Sequence, residues 1–182
     1  MLKIHQPTSR LLAGAIAVST LVLNALPLSN VQAQSSRVDQ TEILKAHNRY
    51  RQEIRTKKPL PDLKWSDKVA VSAQKWADHL AATNSFEHSD GSPYGENLWQ
   101  GTANSYSQTQ MVDGWGEEKK DFVFGVFPNV SKTGNWADVG HYTQIIWRDT
   151  TEVGCGLATG GGNDVLVCQY NPPGNYQDEK PY

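Results

Sequence analysis

The run GHYTQIIWRDTTEVGCG, from Gly140 to Gly156, constrains this chain more than any other stretch. It puts a histidine, a tyrosine, a threonine and a glutamine in succession, then two isoleucines and a tryptophan, then a turn and a cysteine. The polar head carries the donors and acceptors of a site. Ile145, Ile146 and Trp147 have the bulk of a buried strand. The pattern predicts a reactive edge attached to a core strand.

The N-terminus reads as an export leader rather than as part of the fold. Lys3 and Arg10 form a basic n-region, Leu11 to Leu28 is mostly apolar, and Val31-Gln32-Ala33 has the small-residue form of a cleavage site. Residues 1–33 are therefore expected to be a signal peptide and 34–182 one domain. The alternative is an uncleaved anchor, but the apolar run falls short of the ~20 residues that span a bilayer, and no second run of that length follows. No membrane span is expected after processing, and secretion, or a periplasmic location in a Gram-negative source, follows. Removing Lys3 and Arg10 from the 17 basic residues leaves 15 against 19 acidic ones. That balance, with no basic cluster, excludes a nucleic-acid footprint. The two cysteines, Cys155 and Cys168, favour one disulfide in an oxidising compartment, with free thiols or a metal pair as alternatives.

Along the domain, Ile43, His47, Tyr50 and Ile54 recur at helical spacing over 37–55, with Asp39 near the N-cap. His47 and Arg51 share a face of that helix. His47 reads as a core histidine, and Asn48 and Arg51 as pins to a neighbour. Ser66 is expected to cap a second helix carrying Val69, Ala73, Trp76, Ala77 and Leu80, ended by Asn84, with His79 on its solvated face. Residues 84–97 read as a loop, with a short strand beginning at Leu98. Tyr106 to Phe122 suggests a third helix, weakened by Gly114 and Gly116. Residues 121–136 read as an ordered aromatic loop. Val165, Val167 and Gln169 alternate with Leu166, Cys168 and Tyr170 after Gly160-Gly161-Gly162, which predicts a hairpin with the two cysteines on neighbouring strands. Trp76, Trp115 and Trp147 are core by pattern. The whole is α+β, with helices on a small antiparallel sheet.

The chain has no nucleotide-binding glycine loop, no nucleophile elbow and no HExxH. His88, Glu96, Glu118 and His141 remain as groups that could bind a divalent ion or run acid–base chemistry. Their spacing does not bring them together. Taken singly, each histidine suits a structural hydrogen bond and each glutamate a surface charge.

Several motifs together resemble one family. GHYTQIIWRDT and VLVCQYNPPGNY (165–176) resemble the two signatures of the secreted family of cysteine-rich secretory proteins, antigen five and the pathogenesis-related class 1 proteins, the CAP family. HNRYR at 47–51 resembles its first-helix motif and Gly95-Glu96-Asn97-Leu98 its GEN motif. LKWSDKVAVSAQKWADHLA at 63–81 is similar to the second helix of plant members. The resemblance implies a three-layer α–β–α sandwich, with His88, Glu96, Glu118 and His141 converging in an open cleft. It implies a weakly held divalent ion, often zinc, on the two histidines, with the glutamates hydrogen-bonding its waters. Plant relatives usually carry six cysteines, whereas this chain has two. A cysteine-rich C-terminal domain like that of the channel-directed venom members is not expected. PPGNYQDEKPY is similar to the tail that plant members release.

Three functions follow as expectations. The first is a monomeric, non-enzymatic module that binds a divalent cation and a small apolar ligand such as a sterol or fatty acid. Phe122, Phe124, Phe127 and Trp136 would line the apolar site, unless they are ordinary core. The second is an extracellular hydrolase, a protease by resemblance, using metal-bound water or a His141–Glu118 pair as base, with Ser89 as the cheapest nucleophile. The third is a defence or interaction protein whose four residues are vestigial.

Overall fold

The computed structural model describes residues 38–182; the leader expected over 1–33 lies outside the described residues, as does the start of the domain expected over 34–182. In chain order the elements are α1 (Gln40–Glu53), β1 (Lys64–Trp65), α2 (Asp67–Thr83), β2 (Gly95–Thr102), α3 (Gln108–Gly116), α4 (Gly140–Ile145), β3 (Glu152–Gly160) and β4 (Asn163–Asn171). Short 3-10 turns follow α3 (Glu117–Lys120) and precede α4 (Trp136–Asp138). The strands form one sheet in the order β1-β3-β4-β2, with β2 on its edge. Helices cover both faces, so the architecture is the expected α–β–α sandwich.

α2 fills one face alone. Its Ala73, Ala77 and Leu80 pack on Leu98, Ala158, Val165 and Val167. The opposite face carries α1, α3 and α4, whose Ile43, Tyr50, Met111, Trp115 and Ile145 close over Val153, Leu157, Leu166 and Tyr170. Both faces of β4 are buried, as its near-continuous apolar run requires. The hairpin turns at Gly161 and Gly162, with φ of 57° and 83°. Two left-handed residues between twisted strands are the turn chemistry that glycine supplies without a steric penalty. Cys155 lies directly opposite Cys168 and the two form a disulfide.

Four expectations are corrected. Ile145-Ile146-Trp147 is not a strand: it ends α4 and enters the next turn. Every residue from Tyr142 to Trp147 is buried, and a short helix buried on all sides shows no period by which to tell it from a strand. The strand expected at Leu98 begins earlier, at Gly95, so Glu96 lies on a strand and not in a loop. The sheet is mixed, because β1 pairs in parallel with β3 through Lys64–Glu152 and Trp65–Val153. Two residues held by a tertiary contact carry no periodic signal. Trp76 is only half buried, at the rim of the α2 cluster.

The helix boundaries follow local chemistry. Asp39 caps α1, its Oδ1 accepting from the amides of Thr41 (2.9 Å) and Glu42 (3.0 Å). Ser66 stands at the N-cap of α2 but makes no side-chain cap bond. Its amide goes instead to Val153 O, 3.0 Å away, because β1 runs straight into the helix. Asn84 ends α2 in the left-handed conformation, φ 51°. α3 is shorter than expected and starts in a capping box between Ser107 and Gln110.

α1 is pinned as expected. Asn48 exchanges two bonds with the backbone of Leu63. Arg51 is fully buried and donates to the carbonyls of Pro61, Ile145, Trp147 and Thr150. His47 is buried between Ile43 O (2.8 Å from Nδ1) and the Tyr170 hydroxyl (2.9 Å from Nε2). Burial, joined by the Arg51 charge, pushes its pKa from 6.5 down to about 4. Between those values the unfolded chain takes up a proton that the native ring refuses. Acid therefore destabilises the fold by about 1.4 kcal/mol per pH unit through this group. Urea unfolding of wild type and His47→Gln at neutral pH and at about pH 5 checks this. The variant should lose less stability on acidification; equal slopes would assign the acid sensitivity elsewhere.

Candidate functional site

Glu96 projects from β2 toward the α2 side of the sheet, where its register partner Gln169 also lies. Its carboxylate accepts four bonds: from His88 Nδ1 (2.9 Å), Ser89 N (2.9 Å), the Ser89 hydroxyl (2.7 Å) and Gln169 Nε2 (2.8 Å). Burial alone would raise the pKa of this group. The hydrogen bonds from His88, Ser89 and Gln169 outweigh it and hold Glu96 below the ordinary carboxylate range. Serving Glu96 orients the Gln169 amide and leaves its Oε1 buried without a partner among the described residues. The Glu96 side chain is 6% exposed, whereas that of His88 is 62% exposed. The carboxylate is the fixed member of the pair, and the imidazole is held out into solvent.

The second pair has the same construction. Glu118 Oε1 lies 2.6 Å from His141 Nδ1, and its Oε2 accepts the amides of His141 and Tyr142 at 3.0 Å each. Glu118 sits on the 3-10 turn that follows α3. The His141 ring stacks on Trp115 at 6.1 Å with an interplanar angle of 20°. The Trp115 indole is itself tied to Leu98 O of β2 at 2.9 Å. Asn97 of β2 donates to His141 O at 3.1 Å.

The structure thus pairs His88 with Glu96 and His141 with Glu118, and joins the pairs through consecutive residues of β2. Successive strand residues point to opposite faces, so Glu96 serves the α2 side and Asn97 the α1–α3 side. Among the described residues, no three His, Cys, Asp or Glu side chains gather closely enough to hold a metal by themselves. The donor set still suits a cation. A carboxylate accepts only, so each Nδ1 carries its ring proton toward a glutamate and leaves Nε2 as a lone pair with no partner among the described residues. A carboxylate behind Nδ1 is the outer-shell support of a metal-binding histidine. Glu96 is taken up by its imidazole, the Ser89 amide and hydroxyl and the Gln169 amide, and Glu118 by its imidazole and two backbone amides, so each carboxylate orients a ring.

Ser89 donates its hydroxyl to Glu96 and not to an imidazole, which is the bond of a support and not of an activated nucleophile. Asn97, Gln169 and Trp115 also build the site. Asn97 stood in the GEN motif and Trp115 one turn before Glu118, but no local pattern marks Gln169, whose role depends on strand register. The aromatic loop divides. Phe127 is core, while Phe124 stacks on Tyr182 at 4.8 Å, and Trp136 leans on Phe127 at 5.2 Å with 45% of its surface exposed. Two cavities among the described residues lie elsewhere. One of about 780 Å³ runs along α1 between Asp39 and Asp62, and one of about 280 Å³ lies near Tyr106 and Asp164.

Comparison with known proteins agrees with this fold. The profile of the cysteine-rich secretory protein family, CAP, matches residues 44–170. Pathogenesis-related protein 1A of Nicotiana tabacum is 37% identical over 173 residues, covering 94% of this chain and 95% of the tobacco protein. Cysteine-rich secretory protein 3 of Homo sapiens is 38% identical over 144 residues, covering 75% of this chain and 57% of the human one. Among solved structures, NaASP2 with Zn²⁺ superposes with a TM-score of 0.63 at 22% identity, covering 78% of this chain and 83% of that one. Venom allergen-like protein 4 of Schistosoma mansoni gives 0.59 at 24% identity, covering 80% and 95%.

Proposed function

The chain belongs to the CAP family of cysteine-rich secretory proteins, and from that premise we propose that it is an exported, non-enzymatic binding module whose His88 and His141 hold a divalent cation weakly through Nε2. One observation carries this: each imidazole has its Nδ1 spent on a glutamate and its Nε2 without a partner among the described residues. Zinc suits neutral imidazole and would supply a positive centre for water or an anionic group of a ligand. Two protein ligands make the ion exchangeable rather than structural. The zinc in NaASP2 supports the choice of ion, and the buried disulfide supports an oxidising compartment. The exposed faces of Phe124 and Trp136 are where a sterol or fatty acid would rest. A defence or extracellular interaction role follows from the relatives' names.

Calorimetric titration of the mature domain with Zn²⁺ tests the reading. Saturable binding is expected in the wild type, weakened at least tenfold in His88→Ala/His141→Ala. Equal affinity in both proteins would refute it. A hydrolytic reading draws on the short His141–Glu118 bond, which orients a base. Ser89 does not serve it as nucleophile, since its hydroxyl is committed to Glu96. Turnover of a peptide library that disappears in His141→Ala would revive it.

A further inference from the structure

Behind His141 stands a buried hydrogen-bonded chain that no cation would touch. Asn97 is 1% exposed and donates twice through Nδ2, to His141 O and to the Tyr170 hydroxyl, each at 3.1 Å. The same hydroxyl lies 2.9 Å from His47 Nε2, and His47 Nδ1 lies 2.8 Å from Ile43 O. Every proton in this chain has one place to go. A carbonyl oxygen only accepts, so the ring proton of neutral His47 sits on Nδ1 and its Nε2 accepts from Tyr170. The Tyr170 oxygen is then the acceptor for one Asn97 N–H, and His141 O for the other. Turning the Asn97 amide over would set its oxygen against the His141 carbonyl. The arrangement therefore has a single polarity, and it ends on the main chain of a site residue.

α4 needs such support. It has six residues, and no side chain caps its start at Val139. Glu118 takes the amide of His141 and Asn97 takes its carbonyl, so the residue is gripped on both sides of its Cα. Asn97 adjoins Glu96, which holds His88. One dipeptide of β2, locked in register to Gln169 and Cys168 of β4, thus carries supports for both imidazoles. Two ligands grasp one ion only if their separation is constant, and a paired strand fixes it better than the loop that carries His88 or the 3-10 turn that carries Glu118.

We propose that Asn97 is a positioning residue for His141, anchored by Tyr170 and His47, and that through it the β2–β4 ladder sets the spacing of the two imidazoles. The proposal rests on the cation-binding reading above. Its test uses two variants and two measurements. Asn97→Leu is expected to weaken Zn²⁺ binding about tenfold. Tyr170→Phe, which keeps the ring in the core, is expected to weaken it about threefold. In a His141→Ala background neither change should weaken residual binding further. The second measurement needs no metal: the low-field Nδ1–H proton resonance of His141 should broaden or vanish in Asn97→Leu while that of His88 persists. Loss of that resonance in a protein whose wild type binds no zinc would uphold the clamp and remove the cation reading. Wild-type affinity together with an unaltered His141 resonance in both variants would overturn the proposal.

Discussion

Arg51→Lys is expected to lower the stability of the domain by about 3 kcal/mol, the cost of breaking a buried hydrogen-bond network around a charged group. Arg51 is completely buried, and burial brings its pKa down to about 10, so it remains a cation at neutral pH. Its Nε and two terminal nitrogens reach carbonyls on three segments: Pro61 at 2.7 Å, Ile145 and Trp147 at 2.9 and 2.7 Å, and Thr150 at 3.2 Å. A lysine presents its protons from one atom and cannot span that fan. It would also bring a more strongly hydrated charge into the core. Because two of the carbonyls close the end of α4, the loss should reach the His141 side of the site. Urea denaturation gives the comparison. A loss below about 1 kcal/mol would mean that the carbonyls find other donors.

Gly156→Val should cost about as much, by a different mechanism. Gly154, Gly156, Ala158 and Gly160 line the face of β3 that meets α2, and a Cβ at Gly156 would fall inside the backbone of Gln74 and Ala73. Backbone cannot step aside like the tip of a side chain, so the whole of α2 would lift off the sheet. The lift would break the two bonds by which the Gln74 amide satisfies the backbone of Leu157. Overpacking of this kind reaches about 3 kcal/mol. Val71→Ala, on the exposed outer face of α2, is the control and should be nearly neutral. A Gly156→Val protein as stable as the control would show that α2 can re-seat.

α1 and α2 were legible because each buries one face and leaves the other wet, so the apolar period survives in the sequence. Asp39 and Asn84 mark ends through bonds and backbone angles that are local. The β3–β4 hairpin was legible from alternation around a glycine turn, and with it the neighbourhood of Cys155 and Cys168. α4 was misread because its polar residues are as buried as its apolar ones: Gln144, for example, is 2% exposed and bonded to Thr150 and Gly174. β1 was invisible because two residues become a strand only when β3 lies alongside. Glu96 reads as loop in the sequence because Ser, Asp, Gly and Pro dominate residues 84–97, and only pairing with β4 makes Gly95 to Thr102 a strand.

Residue order by itself determined α1 and α2 with their ends and the hairpin turn, which depend on contacts within a few residues or on periodicity along one element. Family resemblance supplied the layers and the four side chains of the candidate site. Only the tertiary structure decided which glutamate bonds which histidine, and that Asn97 and Gln169 hold the residues of the candidate site. Those outcomes turn on strand register and on the alternation of side chains across β2. A hydrogen bond between residues 73 positions apart, such as Gln169 to Glu96, exists only once the chain has brought its partners within reach.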